Sequence, residues 1–108
     1  MNLQLGTLEE MILIILLMKE ETYGVEIAKE YKHQLSQSIS LPAIHVVLKR
    51  LEKKGFVNSR LGAPTPERGG KGKRLYQATN KGYEIAQDLQ HRRNEIWKTI
   101  PKLNFSLA

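Results

Sequence analysis

Cysteine is absent from the sequence, and histidine is scarce, with three copies among 108 residues. The absence of cysteine excludes disulfide bonds and thiolate metal ligands, and it fits a reducing compartment. His33, His45 and His91 show no spacing typical of metal ligands. We therefore expect no metal site, no cofactor and a cytoplasmic protein.

Long apolar runs are also missing. The longest run, residues 11–18, holds eight residues, whereas a membrane-spanning helix needs about 20. Glu9 and Glu10 precede it, where a secretory signal would carry basic residues. The run is therefore interpreted as a helix of the core or of a subunit interface, and no contact with a membrane is expected.

Residue sets typical of enzymes are not found either. The sequence shows no pair of catalytic carboxylates and no Ser–His–Asp set. Residues 69–72, Gly-Gly-Lys-Gly, lack the spacing and the strand–helix setting of a phosphate-binding loop. We assign no catalytic residue and expect a protein that is not an enzyme.

What the sequence does contain is a local excess of positive charge. Residues 53–81 hold eight Lys or Arg and one acid, Glu67. Residues 1–52 carry five basic and seven acidic residues, and residues 82–108 carry four and three. The whole excess of +6 thus lies in about a quarter of the chain, which is typical of a surface that binds a polyanion. A solvated, solubilising loop is the alternative interpretation.

Capping residues and apolar periodicity predict three helices in the first half of the chain. Residues 7–10 have the pattern of a capping box that begins at Thr7, and Thr22 is a candidate N-cap for the second helix. Ser40 precedes the third helix, and Gly55 provides its stop. The third helix carries an apolar stripe for the core, made of Ile44, Val47, Leu48 and Leu51.

A hairpin and a fourth helix follow. Residues 56–61 and 74–78 are compatible with short strands, joined by a segment rich in glycine and proline. Thr79 or Asn80 caps the last helix, which Pro101 ends. This order predicts a mainly α fold with a small β-hairpin. It is the winged helix-turn-helix plan, in which the third helix enters the major groove of DNA and the hairpin, called the wing, contacts the flanking backbone.

The third helix and the wing carry the candidate DNA contacts. On the helix, two lysines can reach phosphates and three apolar side chains can contact a thymine methyl group. His45 can donate or accept a hydrogen bond, and a plain surface histidine is the alternative. In the wing, basic side chains stand among glycines, which let the backbone approach a phosphate closely. The predicted DNA-binding residues are Tyr23, Ser40, Pro42, Ala43, His45, Val46, Lys49, Lys53, Arg68, Gly70, Lys71, Lys73 and Arg74.

Several segments together carry a resemblance to a known family. They are LGTLE at 5–9, YGVEI at 23–27, LKRLEKKGFV at 48–57, and RGG at 68–70 with KRLYQATNKG at 73–82. No segment is specific by itself. In this order they make the chain resemble the PadR-type transcriptional regulators over roughly residues 5–90.

The resemblance implies a dimeric DNA-binding repressor that acts on a roughly palindromic operator. We place the winged helix-turn-helix domain at 1–79 with its wing at about 56–78, a C-terminal dimerisation helix at 80–101, and a tail at 102–108. The last helix and the first would form the dimer interface. The predicted interface residues are Leu8, Met11, Ile12, Ile15, Leu89, Ile96 and Trp97.

Two points of the resemblance leave alternatives open. Trp97 either packs in the dimer interface or forms a wall for a small aromatic effector, because some relatives bind flat aromatic ligands near that interface. The family usually has a tyrosine where this chain has His45, and Gly-Thr where it has Pro42 and Ala43. His45 would make the tyrosine's phosphate contact more weakly and with some pH dependence.

We therefore predict a sequence-specific transcriptional regulator that binds double-stranded DNA. A general or RNA-binding basic module is the alternative. Single-strand binders usually display aromatic stacking platforms, and the only aromatic residues of the wing, Phe56 and Tyr76, are both expected to face the core. A pure protein–protein adaptor would leave the concentration of charge unexplained.

Overall fold

A computed structural model of the chain describes residues 5–64 and 72–101. The helices are α1 (Thr7–Leu17), α2 (Gly24–Leu35), α3 (Leu41–Lys53) and α4 (Asn80–Trp97), and the strands are β1 (Val57–Pro64) and β2 (Gly72–Ala78). The predicted order of three helices, a hairpin and a fourth helix is confirmed. No helix in the described ranges is long and apolar enough to cross a membrane.

Two of the predicted helix starts are wrong by one residue. Gly6, not Thr7, is the N-cap of α1, and its amide donates to the Glu9 carboxylate at 3.1 Å. Tyr23, not Thr22, is the N-cap of α2. The backbone of Thr22 is committed elsewhere, because its amide and carbonyl pair with those of Tyr76 at 3.0 and 2.7 Å. That pairing attaches the hairpin to the helical body.

The predicted start and end of α3 and the predicted start of α4 are confirmed, whereas α4 ends at Trp97, four residues before the predicted stop at Pro101. The Ser40 hydroxyl accepts a hydrogen bond from the Ala43 amide at 3.3 Å, and the Thr79 hydroxyl accepts one from the Gly82 amide at 3.0 Å. Gly55 has φ of 84°, the left-handed conformation in which glycine stops a helix without steric cost. The third helix therefore has a fixed start and a fixed end.

The hairpin is longer than the sequence predicts. Its antiparallel register runs from Val57 opposite Ala78 to Leu61 opposite Arg74, and an irregularity follows before Pro64 pairs with Gly72. Glycine at position 72 permits this extension, because a Cβ atom there would overlap the backbone of Gly62 on the facing strand. Strand pairing at the base of the wing thus reaches Pro64 and Gly72.

The core lies between α1, α2 and α3 and continues onto the hairpin and the first half of α4. The predicted apolar stripe of α3 is buried in full. Burial of each large aliphatic side chain contributes roughly 1.5–3 kcal/mol. The fully enclosed side chains are Ile12, Leu13, Leu16, Ile27, Ile44, Leu48, Leu51 and Val57.

This packing corrects part of the predicted dimer interface. Ile12 is 0% exposed and Ile15 is 3% exposed, and both belong to the hydrophobic core of a single copy. Their apolar surface is already covered by the chain itself, so they are core residues and not contacts to a second copy. The sequence could not separate core residues from interface residues here, because every position of the run at 11–18 is apolar.

Candidate nucleic-acid interface

The exposed face of α3 lies opposite its buried stripe. His45, Val46, Lys49 and Lys53 are exposed on it, and Pro42 is exposed in its first turn. Ala43 is half-buried in that turn, and the Ser40 side chain caps the helix. All six predicted contacts on this helix therefore lie in the turn or on the face that the core leaves uncovered, with Ser40 immediately before them.

Tyr23 joins the base of the wing to the start of α2. The Lys73 ammonium lies 3.9 Å from the centroid of the Tyr23 ring, a distance at which the cation is attracted to the aromatic face. The Tyr23 hydroxyl donates to the Glu26 carboxylate at 3.2 Å. The ring therefore holds the Lys73 ammonium at the junction of β2 and α2.

His45 lies against the same junction. A Cβ atom at position 24 would stand 2.9 Å from His45 Nε2, so glycine at the start of α2 lets the imidazole ring approach the backbone. A cavity of about 370 Å³ opens here. It brings together four predicted DNA contacts that are distant in sequence, namely Tyr23, His45, Lys73 and Arg74.

Two groups can be distinguished among the described cations of α3 and the hairpin. Arg60 makes two hydrogen bonds of 2.7 Å to the Glu21 carboxylate, and Lys54 pairs with Glu9 at 2.9 Å. Two of these charges are therefore neutralised by acids of the helical body. Within residues 5–64 and 72–101, no carboxylate forms an ion pair with the second group, made of Lys49, Lys53, Lys73 and Arg74.

The ion pair between Arg60 and Glu21 shifts the pKa of both groups. Its hydrogen bonds lower the pKa of Glu21 below the ordinary value, and the same contacts raise the pKa of Arg60. The two residues are 39 positions apart in sequence, and no local pattern links them. Charge counting therefore overestimates how much of the positive excess is available to a ligand.

Of the cations without acidic partners in the described ranges, Lys73 and Arg74 line the cavity at His45, and Lys49 and Lys53 lie farther along α3. Arg74 donates to the Ser59 hydroxyl at 3.1 Å and stays exposed. Arg68, Gly70 and Lys71 lie outside the described residues, so their assignment stays a prediction. The described part of the surface is suited to hold a polyanion along the exposed face of α3 and at the base of the wing.

A second apolar surface lies between α1 and α4. A groove of about 480 Å³ runs along these helices, and its lining includes Ile14, Leu17 and Tyr83. Ile14 and Leu17 are not among the predicted interface residues, because the run at 11–18 gives no periodic signal. Of the predicted residues, Leu8, Met11 and Leu89 are half-buried, whereas Ile96 and Trp97 are 68% and 70% exposed.

Three helices, an antiparallel hairpin attached to the body, and an uncovered third helix define a winged helix-turn-helix protein. The sequence model of the transcriptional regulator PadR-like family matches residues 12–84. The chain belongs to this family, and the resemblance found in the sequence is confirmed.

Solved structures agree with this assignment. A PadR-like transcriptional regulator from Bacillus cereus is 25% identical, with a TM-score of 0.73 over 94% of each chain. A PadR family transcription regulator from Clostridium difficile is 25% identical, with a TM-score of 0.72 over 93% of this chain and 100% of that one. No curated protein sequence matches the chain at a significant level.

One solved relative was determined with its ligand. Bacillus subtilis PadR in complex with operator DNA is 27% identical, with a TM-score of 0.67. The match covers 78% of this chain but 46% of that one, so this chain spans less than half of that protein's length. The predicted fold class is confirmed as a mainly helical winged helix, and the dimerisation helix stays a prediction.

Proposed function

We propose that this PadR-like regulator binds double-stranded DNA in a sequence-specific manner, as a homodimer on a roughly palindromic operator, and acts there as a repressor. The observation that carries the DNA-binding part of the proposal is the group of Lys49, Lys53, Lys73 and Arg74. These cations lie on α3 and at the base of the wing, and the described part of the chain gives them no acidic partner.

The helix and the wing contribute differently to binding. Phosphate contacts from the wing and from the two lysines of α3 supply affinity but carry no sequence information. Discrimination comes from the exposed α3 side chains that can reach base edges, where an apolar group such as Val46 contacts a thymine methyl and His45 forms a hydrogen bond. Pro42 and Ala43 extend the apolar contact at the start of the helix.

The burial of the aromatic rings of the hairpin supports the proposal of duplex DNA as the ligand over that of single-stranded RNA. Proteins that bind single strands stack bases on exposed aromatic rings. Tyr76 is only 8% exposed and Phe56 is half-buried against the core. Burial also raises the pKa of the Tyr76 hydroxyl, the Arg74 charge opposing it. Neither ring is placed to stack on a base.

Dimerisation is proposed through α4 and the groove that it forms with α1. Ile96 and Trp97 are large apolar side chains exposed on α4, and a second copy of the chain would cover them. A two-fold dimer presents two third helices, which read an inverted repeat. The repressor role rests on the family resemblance, as does a pocket for a small aromatic effector at Trp97.

Selection of duplexes from a random pool tests the proposal. We expect the protein to enrich an inverted repeat whose half-sites have centres about one helical turn, or a multiple of it, apart. Enrichment of a single, unrepeated site would argue against the dimer but would still support sequence-specific DNA binding. Failure to enrich any sequence, together with equal capture of single-stranded RNA, would favour the general basic module.

A further inference from the structure

The start of α4 is anchored to the end of α3, the helix proposed to read DNA. The Thr79 hydroxyl donates to the Gly55 carbonyl at 2.8 Å, and the Lys81 ammonium donates to the Lys54 carbonyl at 3.2 Å. Gly82 packs so closely that a Cβ atom there would overlap the Phe56 carbonyl. Any rotation of α4 about its base would therefore move α3 with it.

A second anchor lies farther along α4. Ile85 and Ala86 are the last core residues of this helix, and the residues from Gln90 to its end are exposed. Within that exposed half, Arg93 forms a two-pronged ion pair with Glu10 of α1, with N–O distances of 2.6 and 2.9 Å. Glu10 is only 3% exposed, so the Arg93 guanidinium reaches from the outer part of α4 to a buried carboxylate.

The two anchors together fix the direction of α4. Arg93 follows Gly82 by eleven residues, which corresponds to about 17 Å along the helix axis. A tilt of about 10° would displace the helix by about 3 Å over that length, close to the 3.4 Å rise of one base pair. The guanidinium fork matches both oxygens of the carboxylate, a geometry that resists such a tilt better than a single contact would.

We propose that the Arg93–Glu10 pair sets the half-site spacing that the dimer accepts. The inference rests on the proposed function, in which α4 contributes the dimer contact and α3 reads DNA. The base of α4 is bound to α3, and Arg93 binds α4 to α1. The pair therefore fixes the angle between α4, which contacts the second copy in the proposed dimer, and α3, which reads DNA. Arg93 is thus a positioning residue that acts through α4 without touching DNA.

The test measures affinity for a series of duplexes in which two selected half-sites are separated by spacers of increasing length. The unmodified protein is expected to prefer one spacing. In Arg93→Ala, the ratio between the best and the neighbouring spacing is expected to fall at least roughly tenfold, because the variant removes two charged hydrogen bonds and a factor of ten corresponds to about one of them. Affinity for an isolated half-site, a quantity that depends on α3 and the wing alone, is expected to stay unchanged.

Two further variants separate positioning from folding. Arg93→Lys keeps the positive charge beside Glu10 but offers one contact in place of two, so it should fold and show a partial loss of spacing preference. Lys98→Ala is the matched control, because within the described ranges the ion pair of Lys98 is the local one with Glu95, three residues before it. Its spacing profile should equal that of the unmodified protein.

Identical spacing profiles for the unmodified protein, Arg93→Lys and Arg93→Ala would overturn the inference and leave the proposed function intact. If both Arg93 variants also lost affinity for an isolated half-site, the inference would be overturned as well, because the pair would then support the DNA-binding surface of α3 and the wing as a whole. If the unmodified protein showed no spacing preference at all, the proposed dimeric operator binding would fail, and this inference with it.

Discussion

Buried acids on α1 show how single residues link distant parts of this small domain. A carboxylate that loses water needs a charged or hydrogen-bonding partner. Glu9 and Glu10 are both buried, and each is paired with a cation from another helix or its end, Lys54 or Arg93. Adjacent residues of one helix thereby connect α1 to the end of α3 and to α4.

Stability at acidic pH should depend on Lys54. Burial opposes ionisation of Glu9, but hydrogen bonds from Lys54 and the Gly6 amide outweigh it and lower the pKa of Glu9 below its ordinary value of 4.5. A lowered folded-state pKa contributes stability that is present at neutral pH and lost as the pH falls through that pKa. Lys54→Met should therefore shrink the acid-induced loss of stability between about pH 5 and pH 3.

Urea unfolding over that pH range measures this effect, with Lys53→Met as the matched control. Lys53 neighbours Lys54, is exposed, and forms no ion pair within the described part of the chain. Its variant should keep the pH dependence of the unmodified protein. Equal pH dependence in both variants would contradict the role of Lys54.

Alanine at position 82 should destabilise the protein, although alanine has the highest helix propensity. A Cβ atom there would lie 3.2 Å from Leu13 and overlap the Phe56 carbonyl. Gly82→Ala is expected to lower the free energy of unfolding by roughly 1–3 kcal/mol, the range for overpacking a core. Urea unfolding checks this, and Glu84→Ala on the exposed side of the same helix should change it by less than about 0.5 kcal/mol.

At the scale of the elements, the wing contains cations that are equal in charge but not in availability. Lys73→Ala and Arg74→Ala should each reduce the slope of log affinity against log salt by about 0.9, the value for one lost phosphate contact. Arg60→Ala removes the same charge from the same hairpin. Because Arg60 is already paired with Glu21, we expect the salt slope of the Arg60→Ala variant to equal that of the unmodified protein.

Binding titrations over a range of salt concentrations measure these slopes. The three variants have the same net charge, so a general attraction between a basic protein and DNA would reduce all three slopes equally. Equal reductions would therefore contradict the division of the wing into paired and available cations.

The elements themselves were largely predictable from local chemistry. Ser40, Gly55 and Thr79 mark helix boundaries through side chains or backbone conformations that act within a few residues, and such signals are visible in a sequence. The start of α2 was not predictable, because Thr22 pairs with Tyr76 of a strand more than fifty residues later. Long-range pairing decided that boundary.

The candidate site was predictable in part for the same reason. The basic and apolar residues of α3 follow from helical periodicity, since one face must cover the core. The neutralisation of Arg60 by Glu21 and the approach of His45 to Gly24 depend on how the helices pack together. Packing of that kind has no signature in residue spacing.

At the scale of the whole molecule, the exposed end of α4 predicts self-association. Ile96→Ser and Trp97→Ser remove large apolar side chains that are mostly exposed in a single copy, and each should weaken the dimer roughly tenfold or more. Leu61→Ser is the control, because Leu61 is equally apolar and 62% exposed but lies on the wing. Sedimentation equilibrium measures the association. An unmodified protein that stays monomeric at micromolar concentration would contradict the dimer.

The central claim is that this PadR-like regulator distinguishes one DNA sequence from another, and does not simply attract nucleic acid through its charge. The most direct measurement compares its affinity for a selected operator duplex with that for a shuffled duplex of equal length and composition at physiological salt. We expect the operator to bind about a thousandfold more tightly, the lower end of the range for specific DNA-binding proteins. Equal affinities for the two duplexes would contradict the claim.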